Sequence, residues 1–187
     1  MFERFVLISE IPATHGFELW SVTDLQTHLR GEMELYPAVA LTVPAWTETL
    51  KRSATTASQL QHPHLARLLD LRVTAQYTAA IWCSEAGLDL TAIIREDAEG
   101  RVPFNRAIGW LEQLAGAIDH LHATTGTAHG ALSPRRVRLA PNGSVQVVHS
   151  FVINTLREIV MLSGGKWESG DELPYLSPQR WEGLPVS

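Results

Sequence analysis

One loop-like stretch organises the second half of the chain: His129-Gly130-Ala131-Leu132-Ser133-Pro134-Arg135-Arg136. A long amphipathic segment from Asn105 to Thr124 precedes it, and its apolar residues recur at helical spacing. Gly126 ends that predicted helix. After the stretch, Asn142-Gly143 is a strong signal for a tight β-hairpin turn. The stretch is therefore predicted to be a loop between a long helix and a hairpin.

The first half of the chain has the pattern of a sheet with one helix. Runs of β-branched and aromatic residues predict five strands, over 5–11, 17–22, 38–43, 66–73 and 76–83. We predict a loop from Thr23 to Tyr36 and a helix from Thr47 to Gln61. After Gly87 helical patterns dominate, starting with a short one over Asp89–Arg95. We therefore predict two parts, 1–86 rich in sheet and 87–187 rich in helix.

Charge and cysteine content narrow the function classes. The chain has 187 residues and a formal net charge of -5, so it lacks the basic field that nucleic acid or an anionic membrane attracts. No run approaches the roughly 20 apolar residues of a membrane-spanning helix, which predicts no membrane insertion by this segment. The single cysteine, Cys83, excludes an internal disulfide and fits a reducing compartment. The expected compartment is the cytoplasm.

Short motifs in the predicted order of elements resemble those of protein kinases. The 129–136 stretch resembles the kinase catalytic loop H-R-D-L-K-P-x-N. Four other anchors resemble the V-A-I-K strand, the H-P-N-I turn, the leucine and histidine before the catalytic loop, and the segment ending in A-P-E: Val39-Ala40-Leu41-Thr42, His62-Pro63-His64-Leu65, Leu121-His122 and Tyr175-Leu176-Ser177-Pro178-Gln179. The resemblance implies an α+β, two-lobe, kinase-like fold. Its N-lobe would hold a five-stranded antiparallel sheet with one helix, and its helical C-lobe would be shortened after the A-P-E-like segment.

The positions that carry chemistry in kinases hold other residues here. The resemblance aligns Ala131 with the catalytic aspartate, Ser133 with the phosphate-contacting lysine and Arg136 with the metal-binding asparagine. It aligns Thr42 with the V-A-I-K lysine and Ser53 with the glutamate that pairs with it. Losing both members of that ion pair avoids an orphaned buried charge. Together the replacements predict an inactive domain.

Phosphate and metal binding are also predicted to be absent. Where kinases have a glycine-rich loop after the first strand, this chain has Pro12, Thr14 and Phe17, with only Gly16 nearby. In the activation-segment-like region, 149–179, His149 falls where the magnesium-binding aspartate would be, and imidazole is a poor ligand for this hard cation. Zinc is not expected, since His120 and His122 lie two apart on a helix and point to different faces. We expect no metal and no cofactor.

Two groups of residues are candidates for altered binding. Trp82 at the gatekeeper position and Arg138 at the floor position imply a remodelled nucleotide pocket; Leu139 takes the floor position if the register slips by one residue. Arg135 and Arg136 could contact a partner protein or an anion through their guanidinium groups, or they could form a solvated loop end.

The main hypothesis is a pseudokinase that acts as a regulatory or scaffolding module by binding another protein, without ATP or magnesium. One alternative is an atypical nucleotide-dependent transferase with new acidic metal ligands, for which Glu18, Glu85 and Asp89 are the candidates. Another is a small-ligand sensor in which Arg138 points into an open, remodelled cleft. A cleft filled by side chains would favour scaffolding.

Overall fold

A computed structural model describes residues 3–11, 18–37, 44–74, 76–84, 87–96, 102–148, 155, 173–175 and 177–178. The elements in chain order are β1 Phe5–Ile11, β2 Glu18–Asp24, β3 Arg30–Pro37, α1 Pro44–Gln59, β4 Arg67–Val73, β5 Tyr77–Cys83, β6 Leu88–Asp89, α2 Leu90–Glu96, α3 Phe104–Thr125, β7 Val137–Leu139 and β8 Val145–Val147. Two short 3-10 turns cover Pro134–Arg136 and Leu173–Tyr175. No helix within the described ranges is both long and apolar enough to cross a membrane.

The first five strands form one antiparallel sheet in the order β1-β2-β3-β5-β4. The predicted α+β fold with a five-stranded antiparallel sheet is therefore confirmed. One face of this sheet packs against α1 through a core that includes Leu50 and Ala57 on the helix and Trp82 on β5. The other face holds a second apolar cluster around Met33 and Ile81. Both faces are buried at the centre of the sheet, which fixes the register of β3 and β5.

The third strand lies earlier in the chain than predicted. The loop prediction for Thr23 to Tyr36 is wrong because β2 runs to Asp24 and β3 covers Arg30–Pro37. The turn between them is held by Asp24, whose carboxylate accepts hydrogen bonds from the Gln26 backbone and the Thr27 hydroxyl. The strand predicted over 38–43 lies outside the described residues.

The sequence of β3 explains why it was mistaken for a loop. Met33 and Leu35 point to one face of the sheet, while Glu32 and Glu34 pair with Trp82 and Ala80 and share the opposite face with them. Acidic residues at alternate positions usually mark a solvent-facing side of a strand. Here residues 31–34 are all buried, with Glu32 only 8% and Glu34 only 1% exposed.

The second part of the fold is built on α3, with a small sheet in the order β6-β7-β8. Gly126 ends α3 with a left-handed conformation (φ 66°), and its amide donates to the carbonyl of His122. Trp110 of α3 packs with Val137 and Val145 of the hairpin in one cluster. The hairpin predicted at Asn142-Gly143 forms, with β7 and β8 as its arms.

The turn before β4 connects the two sheets. The Val147 amide donates to the His64 carbonyl, and the Ala66 amide donates to the Val147 carbonyl, both at 2.8 Å. His64 Nδ1 lies 2.8 Å from the Val145 carbonyl oxygen. Leu65 and Val147 are buried in one apolar cluster with Leu121 of α3. The turn that resembles H-P-N-I therefore holds the five-stranded sheet against β8 and α3.

Candidate functional site

The loop over residues 129–136 is shaped by buried contacts. His129 is 3% exposed, and its Nδ1 accepts a hydrogen bond from the Ala131 backbone amide at 3.3 Å. Ala131 and Ser133 are also buried, and the Arg136 amide donates to the Ser133 carbonyl at 2.9 Å. The loop then enters β7 directly. These contacts place Arg136 and Arg138 so that both side chains point toward the five-stranded sheet.

The first of these arginines forms an ion pair with β3. Arg136 Nη1 lies 3.3 Å from Glu34 Oε1, and the side chains are 5% and 1% exposed. The second carboxylate oxygen of Glu34 accepts a hydrogen bond from Trp82 Nε1 at 3.2 Å. A buried carboxylate is stable only when it is paired and hydrogen-bonded, and both conditions hold here.

The second arginine forms a tighter, two-pronged pair. Arg138 Nε and Nη2 donate to Glu32 Oε1 and Oε2 at 2.9 and 2.8 Å. Ser84 Oγ donates to Glu32 Oε1 at 3.2 Å, and Arg138 Nη1 lies 3.4 Å from Asp89 Oδ2. Although burial alone lowers the pKa of Arg138, its hydrogen bonds to Glu32 raise it, and the net pKa is above its usual range. The guanidinium therefore stays charged.

These four side chains, Glu32, Glu34, Arg136 and Arg138, are called the cleft network below. They join two parts of the chain that lie more than 100 residues apart, with separations of 102 for Arg136 to Glu34 and 106 for Arg138 to Glu32. Their formal charges cancel. The network occupies the space between β3 and the loop, and in protein kinases this space lies between the β3 lysine and the catalytic-loop asparagine.

The two glutamates are functional candidates that sequence reasoning missed. The prediction put the position of the kinase lysine at Thr42, which lies outside the described residues. In the structure β3 is Arg30–Pro37, and this strand contains no lysine. The signal that could have found the strand is the alternation Glu32-Met33-Glu34-Leu35, which has the period of two expected of a strand.

The other predicted positions are distributed around the loop. Trp82 and Arg138, predicted as a remodelled pocket, are both buried and both contact a glutamate of the network. Ser53 lies on α1, where its hydroxyl is 2.7 Å from Thr155 Oγ1. His149 and most of the activation-segment-like region 149–179 lie outside the described residues.

The predicted anion or partner contact at Arg135 and Arg136 stays a prediction. Arg136 is 4% exposed and paired with Glu34, so its guanidinium lies in the interior and not in a solvated loop end. Arg135 is half-buried. The sequence could not separate these neighbours because the burial of Arg136 depends on a glutamate far away in the chain.

The chemistry open to this arrangement is limited. Ala131 has no acid or base function, and the buried hydroxyl of Ser133 has no hydrogen-bond partner among the described residues. Asp89 is held by Arg138 and accepts a hydrogen bond from the Ala92 amide, and Glu18 is bonded to Trp20 at the start of β2. Within the described ranges, no three histidine, cysteine or carboxylate side chains are grouped as a metal site requires. Glu85 lies outside these ranges.

Comparison with known proteins agrees with the kinase-like fold. A probable serine/threonine-protein kinase of Clostridium acetobutylicum is 23% identical over 136 residues, which cover 73% of this chain and 20% of that protein. The serine/threonine-protein kinase CHK1 of Saccharomyces cerevisiae is 27% identical over 119 residues, covering 64% of this chain and 22% of CHK1. This chain thus spans about a fifth of the length of these curated relatives. No protein-family model matches it.

Solved structures give the same result for the fold. The PknI kinase domain of Mycobacterium tuberculosis superposes with a TM-score of 0.68 at 17% identity, covering 82% of this chain and 61% of the PknI chain. A single-site mutant of the same domain gives a TM-score of 0.68 at 19% identity. The chain therefore has a protein kinase-like fold, and its sequence is similar to those of serine/threonine-protein kinases.

Proposed function

We propose that this chain is a pseudokinase domain that binds no ATP or magnesium and acts as a regulatory or scaffolding module for a partner protein. The observation that carries the proposal is the cleft network. Kinases use a β3 lysine to grip phosphate, whereas β3 here directs Glu32 and Glu34 toward the loop, and two arginines neutralise them. A nucleotide would have to displace buried ion pairs and bring phosphate close to two carboxylates.

The losses at the loop support the same reading. Ala131 cannot accept the proton of a substrate hydroxyl, and Arg136 carries a fixed positive charge at the position of a metal ligand. Groups that act as a unit in catalysis are strongly interdependent, so losing several of them removes phosphotransfer. The curated relatives are named as kinases, but at 23% and 27% identity their activity does not extend to this chain.

The filled cleft favours scaffolding over the two alternatives. A small-ligand sensor needs the Arg138 guanidinium free for an anion, but three of its nitrogens face carboxylates or a carbonyl of the same chain. An atypical transferase needs clustered carboxylates, and of its candidates Asp89 is committed to Arg138. We retain the cytoplasm as the proposed compartment, on the basis of a single half-buried thiol at Cys83.

The described surface also offers apolar side chains to a protein partner. Phe104, Ile108 and Leu111 recur at i, i+4 and i+7 on α3, and they are 80%, 40% and 58% exposed. Exposed apolar side chains grouped on one helix face are typical of protein contacts. By contrast, Trp110 is buried and does not serve as an exposed anchor.

Titration with ATP and magnesium tests the nucleotide-free proposal. A ligand present at 100 times its Kd stabilises a fold by about 2.7 kcal/mol, which raises Tm by roughly 5–10 °C for a chain of this size. We expect no such rise up to millimolar ATP, while an active kinase domain in the same plate responds. A saturable rise, or phosphate transfer to a generic substrate, would contradict the proposal.

A further inference from the structure

The cleft network also bears on how the two sheets are held together. Building on the proposed nucleotide-free function, we propose that it is a permanent connector that fixes the five-stranded sheet against the loop and the small sheet without any ligand. In protein kinases a nucleotide and its magnesium ions bridge the β3 side and the catalytic-loop side of the cleft. Here the same two sides are joined by side chains of the chain itself.

Each glutamate is oriented from its own sheet before it meets an arginine. Trp82, directly opposite Glu32 on β5, donates from its indole to Glu34 at 3.2 Å. Ser84, just after β5, donates to Glu32 at 3.2 Å. A carboxylate that already accepts one hydrogen bond from its own sheet can accept a guanidinium in few orientations. The arginines must therefore keep a defined position relative to the five-stranded sheet.

The arginines are in turn fixed by their own backbone. The Val148 amide donates to the Arg136 carbonyl at 2.8 Å, and β7 pairs with β6 and β8 on its two sides. Arg138 is tied to the small sheet a second time because Asp89, at the end of β6, lies 3.4 Å from its Nη1. Each end of the network is thus tied to a sheet, since Arg136 directly precedes β7 and Arg138 lies within it.

The network is a second junction, separate from the one at the β4 turn. That turn joins β8 through hydrogen bonds between the backbones of His64, Ala66 and Val147. Together with the packing of Val148 into the core beside the five-stranded sheet, the two junctions restrict the relative orientation of the two sheets. Because the charges are buried, opening the cleft would first separate each ion pair in a medium of low dielectric constant, before water could solvate both partners. This cost opposes opening.

The distance between the two parts can be measured directly. Spin labels would be attached to cysteines at two exposed positions, Gln26→Cys in the β2–β3 turn and Glu112→Cys on α3, in a Cys83→Ser background of the full chain. Double electron-electron resonance then gives the distribution of distances between the two spin labels. We expect one narrow distribution without nucleotide, and we expect Glu32→Gln with Glu34→Gln to broaden it. The control pair Glu3→Gln with Glu48→Gln, both exposed, should leave the width unchanged.

Charge removal on one side could unfold the chain, and circular dichroism would report this. In that case a quadruple variant, Glu32→Leu, Glu34→Leu, Arg136→Met and Arg138→Met, removes all four charges of the cleft network at similar volume. Its distance distribution then replaces that of the glutamine variant in the comparison with the parent. Broadening in the folded variant supports the connector; a width equal to that of the parent overturns it. Calorimetric titration of ATP into the same samples tests the proposed function separately. Binding of ATP would contradict the nucleotide-free proposal, but it would not affect the comparison of distance widths measured without nucleotide.

Discussion

Replacing Arg138 by methionine should destabilise the fold strongly, because it leaves the carboxylate of Glu32 buried without its guanidinium. Glu32 is 8% exposed, and it loses two hydrogen bonds of 2.9 and 2.8 Å. Breaking a buried ion pair by removing one partner costs about 3–5 kcal/mol. For a chain of this length that corresponds to a fall in Tm of roughly 6–20 °C.

Replacing the other partner, Glu32, should lower the free energy of unfolding by less. Glu32→Leu leaves Arg138 with a second carboxylate, since Asp89 lies 3.4 Å away and is partly exposed. The combination of Glu32→Leu with Arg138→Met removes both charges and should regain most of the stability lost in Arg138→Met. The three variants with the parent form a double-mutant cycle, whose coupling energy we expect to be about 2 kcal/mol or more.

Urea unfolding followed by tryptophan fluorescence is a suitable assay, because Trp82 and Trp110 are both buried. The matched control is Lys51→Met, which breaks the exposed pair between Lys51 and Glu48 and should change the free energy of unfolding by less than about 1 kcal/mol. If Arg138→Met were no more destabilising than this control, the buried ion pair would not be what holds Glu32 inside the protein.

Three further predictions concern stability. Gly87→Ala should destabilise in thermal unfolding because a Cβ there would overlap the Leu139 carbonyl oxygen, whereas Gly109→Ala on α3 meets nothing within 4 Å and should stabilise by about 0.5–1 kcal/mol. The hydrogen bond from Arg4 lowers the pKa of the Asp24 carboxyl, so the stability that this pair contributes is complete above about pH 4 and is lost as the pH falls further. Asp24→Asn should therefore flatten a plot of Tm against pH in this acid range, and an unchanged slope would contradict the assignment. Burial and two neighbouring histidines lower the pKa of His62, so folding favours its neutral form, and Tm should fall as pH drops below about 6.5 but less so in His62→Gln.

Much of the fold follows from local patterns. The apolar period of α3, the Asn142-Gly143 turn and the strands β1, β4 and β5 were predicted within a few residues because each depends on neighbours in the sequence. The motif order then implied a kinase-like architecture, and the structure and its relatives agree. The strand β3 was not predicted, although the alternation Glu32-Met33-Glu34-Leu35 has the period of a strand, because buried acidic residues are unusual in a sheet.

Local sequence patterns were sufficient to predict the kinase-like order of elements, the antiparallel sheet and the loss of familiar reactive groups at the loop over 129–136. The residues that fill the cleft became visible in the folded chain alone. Glu32 and Glu34 are buried because Arg138 and Arg136, more than 100 residues later, neutralise them, with separations of 106 and 102 residues. The burial of a charge depends on its partner in space, and spacing along the chain does not reveal that partner. Arg136, which from the sequence could have been part of a solvated loop end, is in the folded chain part of the interior between the two sheets.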